Sequence, residues 1–381
     1  MRIAVFLKAP EVWGAETSLL TLLATPAAKE HEITVFVPSA SPLVAELEDR
    51  GIRWKSYEFA SFRSLEKGGL SDGTVVDLLL DGIALLSNAW RARAKVRSFD
   101  LILTFGLWET PEIAVAGRFV GVPVVWDFHV TFTGKLAWPA MRVLRMLVSG
   151  IVAPSEATYR LANIRRKPAR EHVVRRPVVP VLQDVSTVSK GTKTVVGIFG
   201  QIENRKSVLE LLNALVDYQD SVKVHVVGAQ LPENASEYEH RVREFVAQRA
   251  PTWEIIPRTT RVAQEMGRCH FIVNLSKHEA FGRTVVEAIL AGAQPIVLSG
   301  DGPEEIVRNT GIGSIISSPE DLPSVVFSST FEHRGSIASD ERDRVATMYS
   351  PAQVAREYFG HLHGHALSTR QRGTKGLEGK A

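Results

Sequence analysis

Two patterns of hydrophobic and polar positions alternate along the chain. Short continuous apolar runs predict strands buried on both faces, and segments with apolar residues every three or four positions predict amphipathic helices. This alternation predicts parallel, doubly wound α/β sheets. Strands are predicted at 2–7, 33–37, 54–59, 100–105, 123–127, 150–155, 193–200, 222–228, 253–257, 271–273 and 295–298. Helices are predicted at 15–23, 42–50, 75–96, 111–119, 138–148, 156–164, 206–218, 238–249, 284–290 and from about 304.

The alternation pauses once and then resumes, which predicts two domains. The first domain is complete by about residue 175, and the valine- and proline-containing segment 176–192 is typical of an extended linker. A second α/β domain spans 193–350, and a further helix begins at Pro351. From 365 to 381 the residues are mostly small, polar or charged, so we expect disorder there.

The predicted helix 75–96 is the longest of the set. Its leucine-rich face, which we expect to point toward the core, contains Leu78, Leu79, Leu80, Ile83, Leu85 and Leu86. Its last turn is basic, as is favourable at the negative end of a helix dipole. The cations there are Arg91, Arg93, Lys95 and Arg97.

Charge and composition narrow the classes of function. With 45 Lys and Arg against 42 Asp and Glu, the formal net charge of +3 is too small to indicate a nucleic-acid partner. The single cysteine, Cys269, excludes an internal disulfide and a Cys-rich zinc site. No apolar run approaches the length of a membrane span, and the apolar run 2–7 is too short for a signal-peptide core. We therefore expect a cytoplasmic protein.

One predicted helix leaves contact with the inner face of a membrane open. Residues 138–147 combine apolar bulk with Arg142 and Arg145, a composition that suits the surface of an anionic bilayer. The alternative is a helix that faces the core and leaves its arginines in solvent. The oligomeric state is not indicated by the sequence.

Candidate chemistry is concentrated where the predicted strand 271–273 gives way to the helix 284–290. Two carboxylates, Glu279 and Glu287, lie eight residues apart across this junction, and Gly282 permits close approach of the backbone to a ligand. The amino terminus of a helix beyond the carboxyl end of a strand attracts anions. The junction therefore predicts a binding site for an anionic ligand.

Five segments, in order, resemble the retaining glycosyltransferases of glycosyltransferase family 4 (group 1), which have the GT-B architecture. Residues 279–297 resemble the E-x7-E signature, and residues 200–206 resemble the loop that binds the donor diphosphate. Residues 13–16 are similar to the family's Gly-Gly-Ala-Glu acceptor loop, with Trp13 in place of a glycine. Residues 121–129 and 152–156 resemble two strand ends of the first domain. The resemblance covers roughly residues 1–365.

The resemblance implies two Rossmann-like domains that face each other across a cleft, with the final helix 351–364 completing domain 1–175. Catalytic roles fall to His129, Glu279 and Lys206, of which His129 and Glu279 would face the donor sugar. Glu287 would bind the nucleotide ribose. The remaining donor-binding residues would be Gly200, Gln201, Arg205, Ala280, Phe281, Gly282 and Arg283, and the acceptor side would include Gly14 and Glu16.

The implied activity is transfer of a hexose from a nucleotide diphosphate sugar, UDP- or GDP-hexose, to a hydroxyl acceptor. The acceptor would be a glycan, a lipid-linked glycan or a small molecule, as in polysaccharide or glycoconjugate biosynthesis. The resemblance implies no cofactor and no metal, because cations and helix N–H groups would stabilise the diphosphate. The sequence departs from the family at Gln201, where an arginine is usual. Arg205 is a candidate to replace that arginine.

Other functions remain as alternatives. Gln201 leaves open a non-catalytic or weakly active nucleotide-sugar-binding protein of the same architecture. An epimerase or phosphorylase would share the fold, but nothing after residue 320 is typical of the lysine that binds pyridoxal phosphate. An NAD-dependent dehydrogenase is disfavoured because neither 2–7 nor 193–200 leads into Gly-x-Gly-x-x-Gly.

Overall fold

The computed structural model describes residues 1–9, 12, 14–61, 75–107, 109–129, 137–180, 193–328 and 337–378. Two compact units emerge. The first contains Met1–Pro177 together with Pro351–Ala381, and the second contains Val178–Ser350. The first unit thus extends two residues beyond the predicted boundary at 175. Most of the predicted linker, 181–192, lies outside the described residues.

The first unit is built on a seven-stranded parallel sheet in the order β3-β2-β1-β4-β5-β6-β7. Its strands are β1 Arg2–Phe6, β2 Glu32–Val37, β3 Trp54–Ser56, β4 Leu101–Thr104, β5 Val124–Asp127, β6 Gly150–Ala153 and β7 Glu171–Val173. Its described helices are Gly14–Leu23, Pro26–Lys29, Leu43–Asp49, Val75–Val96, Thr110–Val120, Ala137–Leu147, Glu156–Leu161 and Pro351–Glu378. The central strands β4, β5 and β6 are buried along their whole length, which explains their continuous apolar sequences.

The second unit contains a six-stranded parallel sheet in the order β10-β9-β8-β11-β12-β13. Its strands are β8 Thr194–Phe199, β9 Val222–Ala229, β10 Glu254–Pro257, β11 Phe271–Asn274, β12 Gln294–Leu298 and β13 Ser314–Ile316. Its described α-helices are Val208–Leu215, Glu237–Arg249, Val262–Gly267, Arg283–Leu290, Gly302–Thr310, Leu322–Val326 and Ser339–Met348. Short 3₁₀ turns span Asn204–Lys206, Val216–Tyr218, Pro232–Asn234 and Pro319–Asp321.

Both sheets reverse their strand order at one point, at β1 and β4 in the first unit and at β8 and β11 in the second. Ligands of doubly wound folds bind beyond the carboxyl ends of the strands at such a switch point. The prediction of two doubly wound, Rossmann-like sheets is confirmed. Each unit therefore offers a site where its chain leaves these central strands.

The orientation predicted for the helix Val75–Val96 was wrong. Three of the residues expected to face the core are mostly exposed: Leu79 (65%), Ile83 (64%) and Leu86 (55%). The buried residues of this helix, which packs on the helix Thr110–Val120, are instead mostly small or polar: Asp77, Asp81, Asn88, Ala89, Ala92 and Val96. Small residues allow the two helices to approach closely, and Leu79, Ile83 and Leu86 are left exposed, whereas Leu80 and Leu85 are half-buried. No helix among the described residues is long and apolar enough to cross a membrane.

The C-terminal segment was expected to be disordered from residue 365, but the structure continues the helix Pro351–Glu378 through most of it. Leu362, His365 and Ala366 are buried, and the ring of His361 stacks on His172 of β7 at 4.0 Å. Packing of Leu362, His365 and Ala366 in the first unit supplies order at the start of this segment that the local composition does not indicate. Residues 379–381 lie outside the described part of the chain.

Candidate active site

The loop between β11 and the helix Arg283–Leu290 is held by a short hydrogen-bond network. The Asn274 side chain donates to Thr284 Oγ1 at 3.0 Å and accepts from the Ser276 backbone N–H at 3.0 Å. His278 has a left-handed backbone, with φ of 59°. A residue at the strand end therefore fixes both the loop and the first turn of the helix, as the predicted strand–helix junction requires.

A second loop supports the first from behind. The Glu279 N–H donates to Asp301 Oδ2 at 3.0 Å, and the Gly302 N–H donates to the Glu279 carbonyl at 2.9 Å. Gly282 has φ of 90°, and a Cβ there would lie 2.7 Å from Pro303 Cγ. Only glycine fits this conformation and this approach. The carboxylate of Glu279 consequently extends from a backbone anchored on both sides.

Phe281, predicted as a donor-binding residue, has a different role for its side chain. The ring is 7% exposed and lies in a hydrophobic cluster with Val285, Ile306 and Tyr349. A ligand at this loop would therefore meet backbone groups of 280–282 rather than the Phe281 ring. A signature motif does not by itself indicate which side chains of a turn are buried and which are exposed.

Glu279 is bound by two cations. Lys206 Nζ lies 2.7 Å from Glu279 Oε2, and Arg205 Nη1 lies 3.2 Å from the same oxygen. Burial acts to raise the pKa of Glu279, but the charges of Lys206 and Arg205 outweigh it and hold that pKa below its ordinary value. The cluster is therefore a carboxylate with two cations.

The two cations differ in their surroundings. The Lys206 side chain is 13% exposed, whereas that of Arg205 is 50% exposed and also binds Glu203 at 2.8 Å. The Arg205 carbonyl accepts from the Lys277 N–H at 2.8 Å, so the 3₁₀ turn Asn204–Lys206 is tied to the β11 loop. Lys206 is the more enclosed cation, and Arg205, the candidate to replace the missing arginine, is the more exposed one.

Gly200 forms the floor beneath Lys206. It follows β8 with φ of 122°, and a Cβ at Gly200 would lie 3.9 Å from Lys206 Cε. The neighbouring Gly228 has φ of 120°, and a Cβ there would lie 2.3 Å from the Gly200 carbonyl oxygen. Two glycines thus let the ends of β8 and β9 approach each other under the cation. Gln201, the next residue, is half-buried.

Glu287 has a neighbour of its own on the helix Arg283–Leu290. Arg283 Nη2 lies 3.2 Å from Glu287 Oε1, and both side chains are about a quarter exposed, at 23% and 26%. The structure thus brings Glu279, Lys206 and Arg205 into direct contact and pairs Glu287 with Arg283. Both pairs belong to the second unit, and both remain partly open to a ligand.

In the first unit, His129 follows the carboxyl end of β5. Its Nδ1 lies 3.2 Å from the Asp127 carbonyl oxygen and 3.8 Å from Asp127 Oδ1, and its ring lies 4.4 Å from that of Phe105. A proton on Nδ1 that is donated to the carbonyl leaves Nε2 of the neutral ring as an acceptor. His129 is therefore oriented by its own strand.

Sequence reasoning missed the buried carboxylate beneath His129. Asp127 is completely buried and binds Arg176 through two hydrogen bonds, one of them 3.0 Å from Nη1 to Oδ2. Tyr358 of the C-terminal helix donates to the same carboxylate at 2.6 Å. Burial acts to raise the pKa of Asp127, but Arg176 holds it below its ordinary value. These three residues are far apart in sequence, so no local motif signals them.

A second missed acid, Glu109, follows β4 just before the helix Thr110–Val120. It is 1% exposed and accepts from the Gly106 N–H. Burial raises the pKa of Glu109 to about 7, although backbone N–H groups and the charge of His129 act to lower it. Glu109 and His129 thus lie at the carboxyl ends of adjacent strands. In sequence, an acid before Thr-Pro indicates only the start of a helix.

The raised pKa of Glu109 predicts that the variant Glu109→Gln becomes more stable relative to the wild-type protein as the pH rises. Between about pH 4.5 and pH 7 the unfolded chain loses the Glu109 proton while the folded chain keeps it, so the wild-type free energy of unfolding falls with pH. The fall is about 3 kcal/mol, and the glutamine variant lacks it. Urea unfolding across this range measures the difference. If the difference in unfolding free energy between Glu109→Gln and the wild type does not change with pH, the raised pKa of Glu109 is contradicted. The matched control is Glu58→Gln, which replaces an exposed acid of the same unit.

The predicted acceptor residues lie at the start of the helix Gly14–Leu23. The Gly14 carbonyl accepts from Ser18 Oγ at 2.7 Å, and Glu16 is half-buried in the first turn. Trp13, which replaces the glycine of the family loop, lies outside the described residues. The helix follows β1 on the carboxyl edge of the first sheet.

Proteins of known structure share this fold. The chain resembles Anabaena Alr3699/HepE in complex with UDP-glucose, at 17% identity, a TM-score of 0.75 and coverage of 95% of this chain and 99% of that chain. It also resembles a glycosyltransferase from Rickettsia africae ESF-5, at 15% identity and a TM-score of 0.74, with coverage of 96% of this chain and 98% of that chain. A third similar structure is that of sucrose-phosphate synthase from Thermosynechococcus elongatus, at 14% identity and a TM-score of 0.67, with coverage of 96% of this chain and 99% of that chain. At these identities the likeness establishes the fold.

Family comparisons cover most of both units. The model of the glycosyl transferases group 1 family matches residues 183–323, and that of the glycosyl transferase 4-like domain matches residues 14–178. No curated protein matches the chain significantly in sequence. With the two switch points and the glutamate–lysine cluster, these matches identify the chain as a glycosyltransferase: it belongs to the group 1 glycosyltransferases of GT-B architecture.

Proposed function

We propose that the protein is a retaining, metal-independent hexosyltransferase that uses UDP- or GDP-hexose and a hydroxyl acceptor. The observation that carries the proposal is the contact of Glu279 with Lys206 and Arg205 above the Gly200 turn. The bound UDP-glucose of Alr3699/HepE supports a UDP-hexose as the first donor to test. The acceptor class proposed is a glycan, a lipid-linked glycan or a small molecule.

The charge of the cluster suits the bond that must break. Cleavage of the C1–O bond of the donor leaves a nucleoside diphosphate, whose negative charge grows as the bond lengthens. Lys206 and Arg205 place cations where that charge develops, and the carboxylate of Glu279 keeps them oriented before the donor binds. In the mechanism implied by the family, the acceptor oxygen attacks C1 from the same face, and the leaving phosphate takes its proton.

Retention, metal independence and the donor are tested together by one assay series. The wild-type protein is incubated with UDP-glucose, UDP-galactose, GDP-mannose and ADP-glucose, with and without EDTA, and transfer or slow donor hydrolysis is followed by release of nucleotide. We expect turnover that EDTA leaves unchanged and a product with the anomeric configuration of the donor by NMR. Loss of turnover with EDTA, or an inverted product, contradicts the corresponding part of the proposal.

The second candidate is a nucleotide-sugar-binding protein without transferase activity, and Gln201 is the observation in its favour. This half-buried amide follows Gly200, where a cation is usual in the family. Calorimetry separates the two candidates. The binding protein is favoured if the wild type binds the donor without turnover over a broad acceptor panel and the variant Gln201→Arg gains activity. Turnover by the wild type excludes the binding protein.

A further inference from the structure

The first unit contains a strongly cationic cavity that the proposed reaction does not use. The cavity is open to solvent and has a volume of about 580 Å³. Five of its nine lining residues carry a positive charge and none carries a negative one. The cationic residues are Arg142, Arg145, Arg165, Arg166 and Lys167.

Nearby carboxylates account for only part of this charge. Arg145 binds the buried Glu171 at 2.7 Å, and Arg166 binds Glu156 at 2.8 Å. Arg165 and Lys167 are exposed, and neither side chain forms an ion pair with a residue that the structure describes. The Arg145–Glu171 pair holds the wall of the cavity, and the side chains of Arg165 and Lys167 are left to meet a ligand.

The cavity lies on the opposite edge of the sheet from the candidate active site. The loop 162–170 leads into the amino end of β7, and its last carbonyl, that of Arg170, accepts from the Ile151 N–H at the start of β6 at 3.0 Å. His129 and Glu109 follow the carboxyl ends of their strands. Because all strands of this sheet are parallel, the cavity is a second site, separate from the switch point.

We propose that this cavity binds a phosphate-bearing anion. Guanidinium groups match the geometry of phosphate oxygens, and several convergent cations favour a multiply charged or membrane-bound phosphate. The helix Ala137–Leu147 exposes Val143 (51%) and Met146 (66%), and Met146 lies one turn after Arg142 of the cavity. Apolar side chains beside the cations favour the head group of an acidic phospholipid as the source of the phosphate.

The test removes two of the exposed cations of the cavity with Arg165→Ser and Lys167→Ser together. One arm measures co-sedimentation with vesicles of phosphatidylcholine and phosphatidylglycerol, and the other measures calorimetric binding of inorganic pyrophosphate with the donor site saturated by UDP. We expect the double variant to weaken binding in at least one arm by roughly 30-fold, from the loss of two cations near an anionic phosphate. The arm that responds identifies the source of the phosphate.

A matched control removes two cations elsewhere in the same unit, with Arg53→Ser and Lys55→Ser. Both positions are exposed, so this pair changes the net charge equally without touching the cavity. Binding that falls equally in both double variants indicates general electrostatic attraction and overturns the proposal. Absence of binding in both arms by the wild-type protein overturns it as well. Thermal unfolding of each variant shows whether the fold is retained, and transfer to a soluble acceptor is expected to stay at the wild-type level.

Discussion

Replacement of Lys206 by methionine is expected to lower hexose transfer by roughly 10²- to 10³-fold, the usual effect of removing one preorganised group that stabilises developing charge. Methionine keeps most of the volume of the enclosed side chain and removes only its charge. Steady-state turnover with UDP-glucose measures the loss, and it is expected in kcat because the leaving-group charge is greatest in the transition state.

Because Lys206 forms an ion pair with Glu279, we also expect it to stabilise the fold, so a second variant is needed to separate the two roles. In Lys206→Met, Glu279 keeps only the half-exposed Arg205 as a partner, and the free energy of unfolding should fall. In Lys206→Met with Glu279→Gln, both charges of the closest pair are removed, and stability is expected to recover while activity does not. Recovery of activity along with stability contradicts a role for Lys206 at the leaving group.

Arg205→Ala is the matched control for the same cluster. Its side chain is half exposed and is already shared between Glu203 and Glu279, so solvent screens its charge more strongly than that of Lys206. We expect a smaller loss of turnover than for Lys206→Met. A loss as large as that of Lys206→Met indicates that Arg205 has taken over the role of the arginine usual at 201.

Asp127→Asn is expected to destabilise the first unit by about 3–5 kcal/mol, the usual cost of leaving a buried charge without its partner. Asp127 is completely buried, and Arg176, whose side chain is 5% exposed, would keep its charge in the interior. The Tyr358 hydroxyl would lose its ionised acceptor at the same time. Urea unfolding followed by a probe in the first unit measures this change.

Two variants show which part of the network carries that energy. Tyr358→Phe removes one hydrogen bond to a charged group and is expected to cost about 1.5–3 kcal/mol. Asp127→Leu with Arg176→Met removes both charges and should be much less destabilising than Asp127→Asn alone. Equal stability of Asp127→Asn and the wild type would show that the buried pair contributes little.

Local patterns were sufficient for eleven of the thirteen described strands and for the donor loop, but they missed the three-residue edge strands β7 and β13. Buried parallel strands need apolar residues at every position, so β4, β5 and β11 are visible as continuous runs. The carboxylate Glu279 was found because its spacing from Glu287 and the required Gly282 lie within one short segment. The resemblance assigned Glu279 and Lys206 to the same site, but their direct contact joins residues 73 positions apart and was not predicted.

Features that depend on tertiary packing could not be predicted from local sequence patterns. The leucine stripe of the helix Val75–Val96 satisfies helical periodicity, but periodicity identifies an apolar face without saying what covers it. The buried side is chosen by the close fit of Ala89 and Ala92 to the neighbouring helix. Glu109 has an ordinary helix-start sequence, and only its burial distinguishes it. In both cases the deciding contact comes from another segment of the chain.

The order of the two units along the chain has a consequence for biosynthesis. The helix Pro351–Glu378 is the last described element to leave the ribosome, yet it covers the first sheet and brings Tyr358 to Asp127, 231 residues earlier. Its Val354, Ala355 and Leu362 fill the core formed by β1 and β4. The second unit is contiguous and has its full chain by Ser350. We therefore expect the domain that is translated first to finish folding last, with an uncovered apolar face until the helix Pro351–Glu378 has been synthesised.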